Sequence, residues 1–282
     1  MTGFVIVDKK TGVSSAKEVN IIKKLTQTPC GHMGTLDPMA SGVLPVAIGN
    51  SARLFNYFLD KRKIYEAEFI FGCDSDTLDT TGKMLKSGGY VPSEVEIVKV
   101  LPEFSGEVMQ VPPRYSAKNI EGKRGYQLAR AGIDFTLPPK KVNIYSINLK
   151  GRVSENSFSF IIECGGGTYI RSIARDLGER LNTCAVMSSL KRTQSGVFTL
   201  ENSVRTENLT AENIEQYIIK TESVLPYESI KPSETEAKKL FNGLTVQSCL
   251  TDGIYKIFRT EGSFYGLAEV KHNILKVRTK LC

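Results

Sequence analysis

The sequence predicts an α+β fold built on a mostly antiparallel sheet. Strand-like and helix-like runs alternate irregularly along the 282 residues, without the repeating strand–helix units of parallel α/β proteins. The hydrophobic content of 41% is ordinary for a globular chain with a sizeable core. The composition changes near residue 231, so we expect a large domain over 1–230 and a small β-rich module over 231–282.

The first half of the larger domain is assigned from apolar periodicity and from boundary residues. Runs rich in β-branched and aromatic residues predict strands, and apolar residues three or four positions apart predict helices. Serine before such a helix predicts its first cap, and proline predicts its end. The predicted elements are a strand at 4–7, a helix that starts with a capping box formed by Ser15 and Glu18, strands at 43–48 and 64–71 with a short helix at 53–59 between them, and a short helix from Ser93 to Pro102.

The second half continues the same mixture of elements. Residues 111–122 predict a loop, since they contain two consecutive prolines and few apolar positions. The predicted elements that follow are a brief helix at 126–131, strands at 140–149 and 157–164, a helix after the glycine turn 165–168, and, in the small module, a short helix near 231 with strands at 254–258, 264–270 and 275–277.

Charge and cysteine usage limit the classes of function. The net charge of +7 and the pI near 9.0 favour a polyanionic partner, although a mildly basic surface also keeps a protein soluble. Residues 231–282 hold nine Lys/Arg and five Asp/Glu, and therefore +4 of this charge. The six cysteines form no CxxC pair and there are only two histidines, so no metal site is predicted. With no signal peptide and no long apolar run, we expect a cytoplasmic protein with no membrane span.

Two motifs have competing interpretations. The segment DSDT at 74–77 follows an apolar strand and resembles the nucleophile motif of haloacid-dehalogenase-type phosphatases, which bind Mg²⁺. The alternative is an acidic turn in which Asp and Thr side chains bond backbone amides. The segment GGGT at 165–168 could bind phosphate, but it lacks the spacing of nucleotide-binding loops and is also explained as a turn capped by Thr168.

The segment GHMGTLDPMASGVL, residues 31–44, is an irregular loop between a predicted helix and a predicted strand. Its three glycines permit tight turns, and Pro38 keeps Asp37 out of helical geometry. By itself, Asp-Pro indicates only a turn. Arg171 lies in the first turn of a predicted helix, where a cation is unfavourable unless an anion is near.

Taken together, these segments resemble the tRNA pseudouridine synthase B (TruB) family. The matching blocks are GHMGTLDPMASGVLPVAIGNSARL, KIYEAEFIFG, DTLDTTG, QVPPRYSAKNIEGKRGYQLARAG, GGGTYIRSIARDLGERL and LKRTQSGVF, in this order over about residues 3–200. The resemblance implies the pseudouridine synthase fold, with a bent mixed sheet, an RNA-gripping insertion at about 105–140 and a C-terminal PUA-like module. It also implies a cofactor-independent isomerase that acts on the T-loop uridine of tRNA (position 55 in tRNA convention).

The resemblance assigns a role to each candidate residue. Asp37 is the implied catalytic carboxylate, which acts either as a nucleophile or as a base toward the ribose. Tyr65 is implied to stack on the extruded uracil and to help remove its C5 proton. Arg171 is implied to orient the Asp37 carboxylate. Leu190 is implied to line the uracil pocket.

Further residues are implied to hold the RNA. His32 would fill the stack that the flipped nucleotide leaves, because base-modifying enzymes take the target base out of its stack. The implied phosphate contacts are Lys118, Lys123, Arg130, Lys191 and Arg192. The family commonly has Ser-Lys where this chain has Gly165-Gly166, which removes one possible phosphate contact.

Two alternatives from other classes of protein remain at this level. A non-catalytic tRNA-folding helper would use the basic surface without Asp37, and a Mg²⁺-dependent phosphatase would use the DSDT turn. A guide-RNA-dependent enzyme of the same family is disfavoured because the chain lacks extra basic extensions. No protein partner is implied, and we expect a monomer.

Overall fold

The computed structural model describes residues 1–59, 61–116, 119–120 and 122–281. The strands are β1 (Gly3–Lys9), β2 (Cys30–His32), β3 (Ser41–Ile48), β4 (Lys63–Phe71), β5 (Asp74–Ser75), β6 (Met84–Lys86), β7 (Gly106–Gln110), β8 (Asn119–Ile120), β9 (Lys123–Arg124), β10 (Lys140–Arg152), β11 (Ser157–Cys164), β12 (Ala185–Ser195), β13 (Phe198–Thr199), β14 (Ser229–Ile230), β15 (Val246–Gln247), β16 (Gly253–Phe258), β17 (Phe264–Lys271) and β18 (Ile274–Lys280). The α-helices are α1 (Ser15–Thr26), α2 (Phe55–Leu59), α3 (Glu94–Val100), α4 (Gly125–Arg130), α5 (Ile170–Arg180) and α6 (Glu234–Phe241).

The main sheet of the described residues has the strand order β1-β3-β12-β4-β11-β10-β7, with β2 and β13 attached beside it. Its pairs are antiparallel except for β12 with β3, which are parallel. The strand β4 shows strict alternation of burial along its nine residues, as expected when one face of a sheet packs on a core. The sheet is therefore mixed and mostly antiparallel, as predicted.

The core of the larger domain lies between this sheet and the helices α1, α3 and α5. Phe69, Phe158 and Phe160 are fully buried on one face of the sheet, and Ile173 and Leu177 of α5 belong to the same cluster. Burial of a large apolar side chain contributes about 1.5–3 kcal/mol. This packing holds β4, β12 and α5 next to one another, which positions the cleft described below.

The beginnings of two helices differ from the sequence-based predictions. The helix α1 is capped by Ser14, whose hydroxyl accepts from the Lys17 amide, and not by Ser15. Ser15 instead turns toward the irregular loop. Before α5 the Thr168 hydroxyl donates to the Gly165 carbonyl. The N-cap residue of α5 is Tyr169, whose side chain makes no capping hydrogen bond. The predicted cap of α3, Ser93, is present as a capping box, and the helix predicted to start near 231 is α6, which begins with a capping box formed by Ser233 and Glu236.

The C-terminal segment forms a second sheet with the order β14-β16-β17-β18-β15. Leu240, Tyr255, Tyr265 and Val270 are buried in a cluster of their own. Other residues of this segment pack elsewhere. Leu267 of β17 and Leu281, which follows β18, belong to a cluster that includes Phe4 and Ile6 of β1, so the second sheet is joined to the first by apolar contacts. None of the helices within the described ranges has the length and hydropathy of a membrane span.

Candidate active site

A cavity of about 320 Å³ lies where several segments of the larger domain meet. Its lining comes mainly from the loop 32–37, from β4, from the turn that enters α5 and from β12, with Phe55 and Ser116 completing it. Six of the residues singled out from the sequence line it together: His32, Asp37, Tyr65, Arg171, Leu190 and Arg192. Such a volume, with a few polar groups among apolar walls, is typical of a small-ligand site.

The Asp37 loop is held by hydrogen bonds to its backbone. The Ser15 hydroxyl donates to the Leu36 carbonyl and accepts from the Leu36 amide, each at 2.9 Å. The Ala40 amide donates to the Asp37 carbonyl at 3.0 Å, which closes a turn after Asp37. These bonds fix the backbone on both sides of the carboxylate, so an irregular segment has a defined conformation.

Lys9, at the end of β1, holds the same loop by hydrogen bonds to its carbonyl groups. Its buried ammonium donates to the carbonyls of Pro38, at 3.2 Å, and of Ala40. Burial lowers the Lys9 pKa to about 8, while the nearby charges of Glu18 and Asp37 act in the opposite direction. No pattern in the sequence distinguishes Lys9 from an ordinary lysine after a strand, and the sequence-based prediction missed it.

Arg171 lies between two carboxylates. Its Nη2 atom is 2.8 Å from Asp37 Oδ2, and its Nη1 atom is 3.4 Å from Asp79 Oδ2. The guanidinium also donates to the carbonyls of Thr77, at 3.0 Å, and Tyr115, at 3.1 Å. The predicted pairing of Arg171 with Asp37 is therefore present, and it explains why a cation is tolerated in the first turn of α5.

Asp79 is a site residue that the sequence-based prediction did not single out. It is buried, and its Oδ1 atom accepts from the Thr77 hydroxyl, the Thr81 hydroxyl and the Thr81 amide. Its other oxygen is left for Arg171. Asp76 in the same turn accepts from the Lys83 amide at 2.7 Å. The turn thus has the hydrogen-bonded form that was the alternative to a phosphatase motif, and the phosphatase interpretation is not supported.

Tyr65 and Leu190 form neighbouring walls of the cavity. They lie on the adjacent strands β4 and β12, and both are less than one-tenth exposed. Burial raises the Tyr65 pKa, an effect that the positive charge of Arg192 opposes. A phenol ring and an aliphatic side chain offer flat apolar contact to a planar base.

His32 lies at the start of the loop, on the short strand β2, and contributes to the cavity lining. Burial, and then the charge of Arg192, lower the His32 pKa, so the ring is neutral at pH 7. Its Nδ1 atom is buried and has no hydrogen-bond partner within the described part of the chain. The imidazole therefore behaves here as a flat, uncharged ring.

The five predicted phosphate contacts have different outcomes. Arg192 is 1% exposed and lines the cavity, so its guanidinium does not lie on the open surface, and its contact with a phosphate stays a prediction. Lys191 is exposed but lies on the opposite face of β12 from the cavity, opposite Glu66 in the sheet register. Arg130 is exposed on α4 over the Tyr126 ring. Lys118 and the side chain of Lys123 lie outside the described residues.

The carboxylates of the site have no arrangement typical of a metal centre within the part of the chain that the structure describes. In the described ranges there is no cluster of three or more His, Cys, Asp or Glu side chains that could bind one. Asp37 and Asp79 both direct an oxygen to Arg171. Among the side chains that line the cavity, Asp37 supplies a carboxylate, Arg171 a guanidinium and Tyr65 a phenol.

Comparison with known sequences shows the family. Residues 23–170 match the family described as TruB family pseudouridylate synthase (N terminal domain), and residues 171–235 match the tRNA pseudouridylate synthase B C-terminal domain. The chain is 38% identical over 278 residues to tRNA pseudouridine synthase B of Clostridium tetani, which covers 95% of this chain and 96% of that protein. For the protein of the same name from Borreliella afzelii the identity is 39% over 260 residues, with 92% and 91% covered. The chain belongs to the TruB family of pseudouridine synthases.

Solved structures of more distant proteins share the fold. A protein in the crystal structure of a Cbf5-Nop10-Gar1 complex superposes with a TM-score of 0.73 at 24% identity, over 99% of this chain and 85% of that one. A chain from an H/ACA RNP bound to a substrate RNA containing 2'-deoxyuridine gives a TM-score of 0.71 at 22% identity, over 99% and 85%. The pseudouridine synthase fold, predicted from the resemblance, is thereby confirmed.

Proposed function

We propose that this chain isomerises a uridine in the T-loop of tRNA to pseudouridine, with Asp37 as the catalytic carboxylate. The observation that carries the proposal is the Arg171–Asp37 pair at the mouth of the cavity. The Asp37 side chain is 38% exposed, whereas the Arg171 side chain that holds it is 6% exposed. A carboxylate that is fixed on one side and open on the other can meet a ribose carbon that enters the cleft.

The reaction rearranges one nucleotide without adding or removing atoms. The bond from ribose C1′ to uracil N1 breaks, the uracil rotates, a bond forms from C1′ to C5, and the C5 proton is lost while N1 gains one. Asp37 assists either by attacking C1′ and later leaving, or by removing a ribose proton and later returning it. Both routes require that the carboxylate contact the ribose. The exposed side of Asp37 lines the cavity, which is where we propose that the ribose binds.

Tyr65 and Leu190 are proposed to hold the uracil while it rotates. Their apolar surfaces allow a planar ring to turn, since they impose no fixed set of hydrogen bonds. The Tyr65 phenol is also proposed to take part in removal of the C5 proton. Arg171 is proposed to keep the Asp37 oxygen directed at the ribose, and Asp79 to hold Arg171 from the other side.

Access to the target base requires that the base leave the T-loop stack. His32 is proposed to occupy the space that the flipped nucleotide leaves, because its ring is flat and neutral at the rim of the cavity. Lys191 and Arg130 remain proposed phosphate contacts on the basis of their exposure alone.

The proposed organisation is a catalytic domain over 1–230 with an RNA-gripping insertion at about 105–140, followed by a basic PUA-like module over 231–282 that binds RNA. The module carries +4 of the net charge of +7, which supports an electrostatic contribution to tRNA binding. We further propose a cytoplasmic monomer that needs no protein partner and no cofactor.

The test is incubation of the purified chain with an unmodified tRNA transcript, followed by mapping of pseudouridine. We expect a single modified uridine in the T-loop, formed equally well with excess EDTA once the tRNA is folded. Binding of tRNA without any pseudouridine would favour the RNA-folding helper instead. Turnover that EDTA abolishes and Mg²⁺ restores, with the tRNA fold unchanged, would contradict the metal-free mechanism.

A further inference from the structure

Arg192 is the largest fully buried side chain within the described residues, and it lies directly below the Asp37 loop. A buried guanidinium is costly unless its N–H groups are hydrogen-bonded. The alternation of β12 places Leu190 and Arg192 on the cavity side and Lys191 on the other side. The hydrogen-bond partners of this permanently charged group show which part of the site it supports.

Arg192 bonds both ends of the Asp37 loop. Its Nε atom donates to the Val43 carbonyl at 2.8 Å, and its Nη2 atom donates to the Gly34 carbonyl at 3.0 Å. Gly34 precedes Asp37 and Val43 follows it, so one rigid plane fixes the separation of the two ends. The backbone of the loop also packs on that of β12, since a Cβ on Gly42 would lie 2.2 Å from the Arg192 carbonyl oxygen.

Arg192 also lies beside the second proposed reacting group. Tyr65 is paired with Arg192 in the register of β4 and β12, and both side chains line the cavity. The Asp37 loop and Tyr65 belong to different parts of the chain, and Arg192 is next to both. The two carbonyls on either side of Asp37 match the fixed fork of donors that arginine offers.

We propose that Arg192 is a positioning residue that sets the distance between the Asp37 loop and the Tyr65 hydroxyl, and not a phosphate ligand. The inference rests on the proposed function only in giving Tyr65 and Asp37 their roles. Lysine at this place keeps the charge but, having one nitrogen, loses the fork. Its ammonium, at the far end of a flexible stem, cannot hold the Gly34 and Val43 carbonyls at one fixed separation.

The experiment compares Arg192→Lys with Arg180→Lys, the same substitution at an exposed arginine that is paired with Glu103 and lies outside the cavity lining. We expect Arg192→Lys to bind tRNA with unchanged Kd and unchanged salt dependence, and its single-turnover rate to fall by about 10- to 100-fold. Arg180→Lys should keep the wild-type single-turnover rate. A weaker tRNA affinity of Arg192→Lys with a salt slope flatter by roughly 0.7–0.9 would identify Arg192 as a phosphate ligand and overturn the proposal.

Two measurements on the free protein do not depend on turnover, so they separate failure of this inference from failure of the proposed function. In the ultraviolet titration of the tyrosines, the pKa of one phenol should differ between the wild type and Arg192→Lys. The titration of that phenol should be missing in Tyr65→Phe. Amide hydrogen exchange of residues 33–42 should become faster in Arg192→Lys and stay unchanged in Arg180→Lys. An unchanged rate, titration and exchange in Arg192→Lys would overturn the proposal.

A further variant covers the case in which Arg192→Lys does not fold. Tyr65→Phe removes only the phenol oxygen and leaves the arginine in place. If the guanidinium bonds that oxygen, the Nε–H resonance of Arg192 should shift in Tyr65→Phe relative to the wild type. An unmoved resonance would remove the link between Arg192 and Tyr65 and overturn the proposal.

Discussion

The Arg171 guanidinium lies 2.8 Å from the Asp37 carboxylate, and the two side chains differ sharply in exposure, 6% against 38%. The arginine is thus anchored in the protein, whereas the aspartate presents its remaining surface to the cavity. A charge-assisted hydrogen bond of this length fixes the direction of the carboxylate. A test of Asp37 should therefore remove the charge of its carboxylate and keep the shape of the side chain.

Asp37→Asn should abolish pseudouridine formation and leave tRNA binding nearly intact. The amide has almost the volume of the carboxylate, so the cavity keeps its shape while the charge and the nucleophilic oxygen are removed. Single-turnover assays and filter binding on the same transcript measure the two properties. Substantial turnover by a pure Asp37→Asn preparation would remove Asp37 from the mechanism.

Asp79→Asn should slow the reaction without weakening tRNA binding. Asp79 Oδ1 accepts three hydrogen bonds from Thr77 and Thr81, so an Asn side chain will keep its oxygen there and turn its NH₂ group toward Arg171. Two donors then face each other in a buried place, which costs about 1–3 kcal/mol and corresponds to a rate lower by roughly 5- to 150-fold.

The control for Asp79 is Asp76→Asn in the same turn. Asp76 is exposed and accepts only from the Lys83 amide in the described structure, so an amide oxygen can replace it. We expect Asp76→Asn to keep the wild-type rate. Equal rates for the Asp79 and Asp76 variants would show that the second carboxylate on Arg171 has no part in catalysis.

The sequence predicted the strands that carry clear alternation and the helices that carry clear caps. The prediction of 64–71 is confirmed by β4, and that of the helix after 165–168 by α5. The central strand β12 was not predicted. Its segment LKRTQS is mostly polar, so the sequence does not indicate which of its side chains are buried. The burial of Arg192 in that strand is a tertiary effect, visible only when β12 lies beside β3 and β4.

The site was predicted through a long contiguous motif, while its supporting residues come from elsewhere. Asp37 and Arg171 stand in blocks that resemble the family. Lys9 and Asp79 act on them across the fold, through carbonyls and a guanidinium that no local pattern identifies. Residues that contact substrate leave a motif, whereas residues that position them depend on which chain segments meet.

Replacement of Lys271 and Lys276 by Gln should weaken tRNA binding and flatten its salt dependence, by roughly 0.7–0.9 for each phosphate that the hairpin no longer neutralises. Both lysines are exposed on the β17–β18 hairpin. Deletion of 231–282 is a poorer test, since it takes Leu267 and Leu281 away from Phe4 and Ile6 and destabilises the larger domain.

The control for the hairpin lysines is Lys141→Gln, which removes an exposed charge that is already paired with Glu107 at 2.9 Å. Binding should be measured by titration at several salt concentrations. We expect Lys141→Gln to change the slope little. The same slope for the wild type and for the double hairpin variant would show that this hairpin does not contact RNA.

His32 should make the folded state less stable as the solution becomes acidic. Burial lowers its pKa from 6.5 in the folded chain, so the unfolded chain takes up a proton first as the pH falls. The contribution of neutral His32 to the free energy of unfolding is therefore fully present above pH 6.5, and this contribution is lost as the pH falls through the pKa of His32 in the folded chain. Denaturant unfolding of the wild type and His32→Phe between pH 7.5 and about 5 measures the difference in pH dependence, which should vanish at the upper end. Parallel curves for the two proteins would show that His32 does not titrate differently on folding.

In catalysis His32 should matter for its shape and not for its proton. If the ring fills the space of the flipped base, it offsets part of an unstacking cost of a few kcal/mol and takes no part in bond cleavage. His32→Ala should then slow modification of a folded T-arm hairpin by about tenfold or more, and a substrate whose uridine is already unstacked should show little defect. His32→Phe keeps a flat ring without a titrating group, so it should retain most of the activity on both substrates. An equal defect of His32→Ala on both substrates, together with an inactive His32→Phe and the loss of a titration near neutral pH, would make His32 an acid–base participant instead.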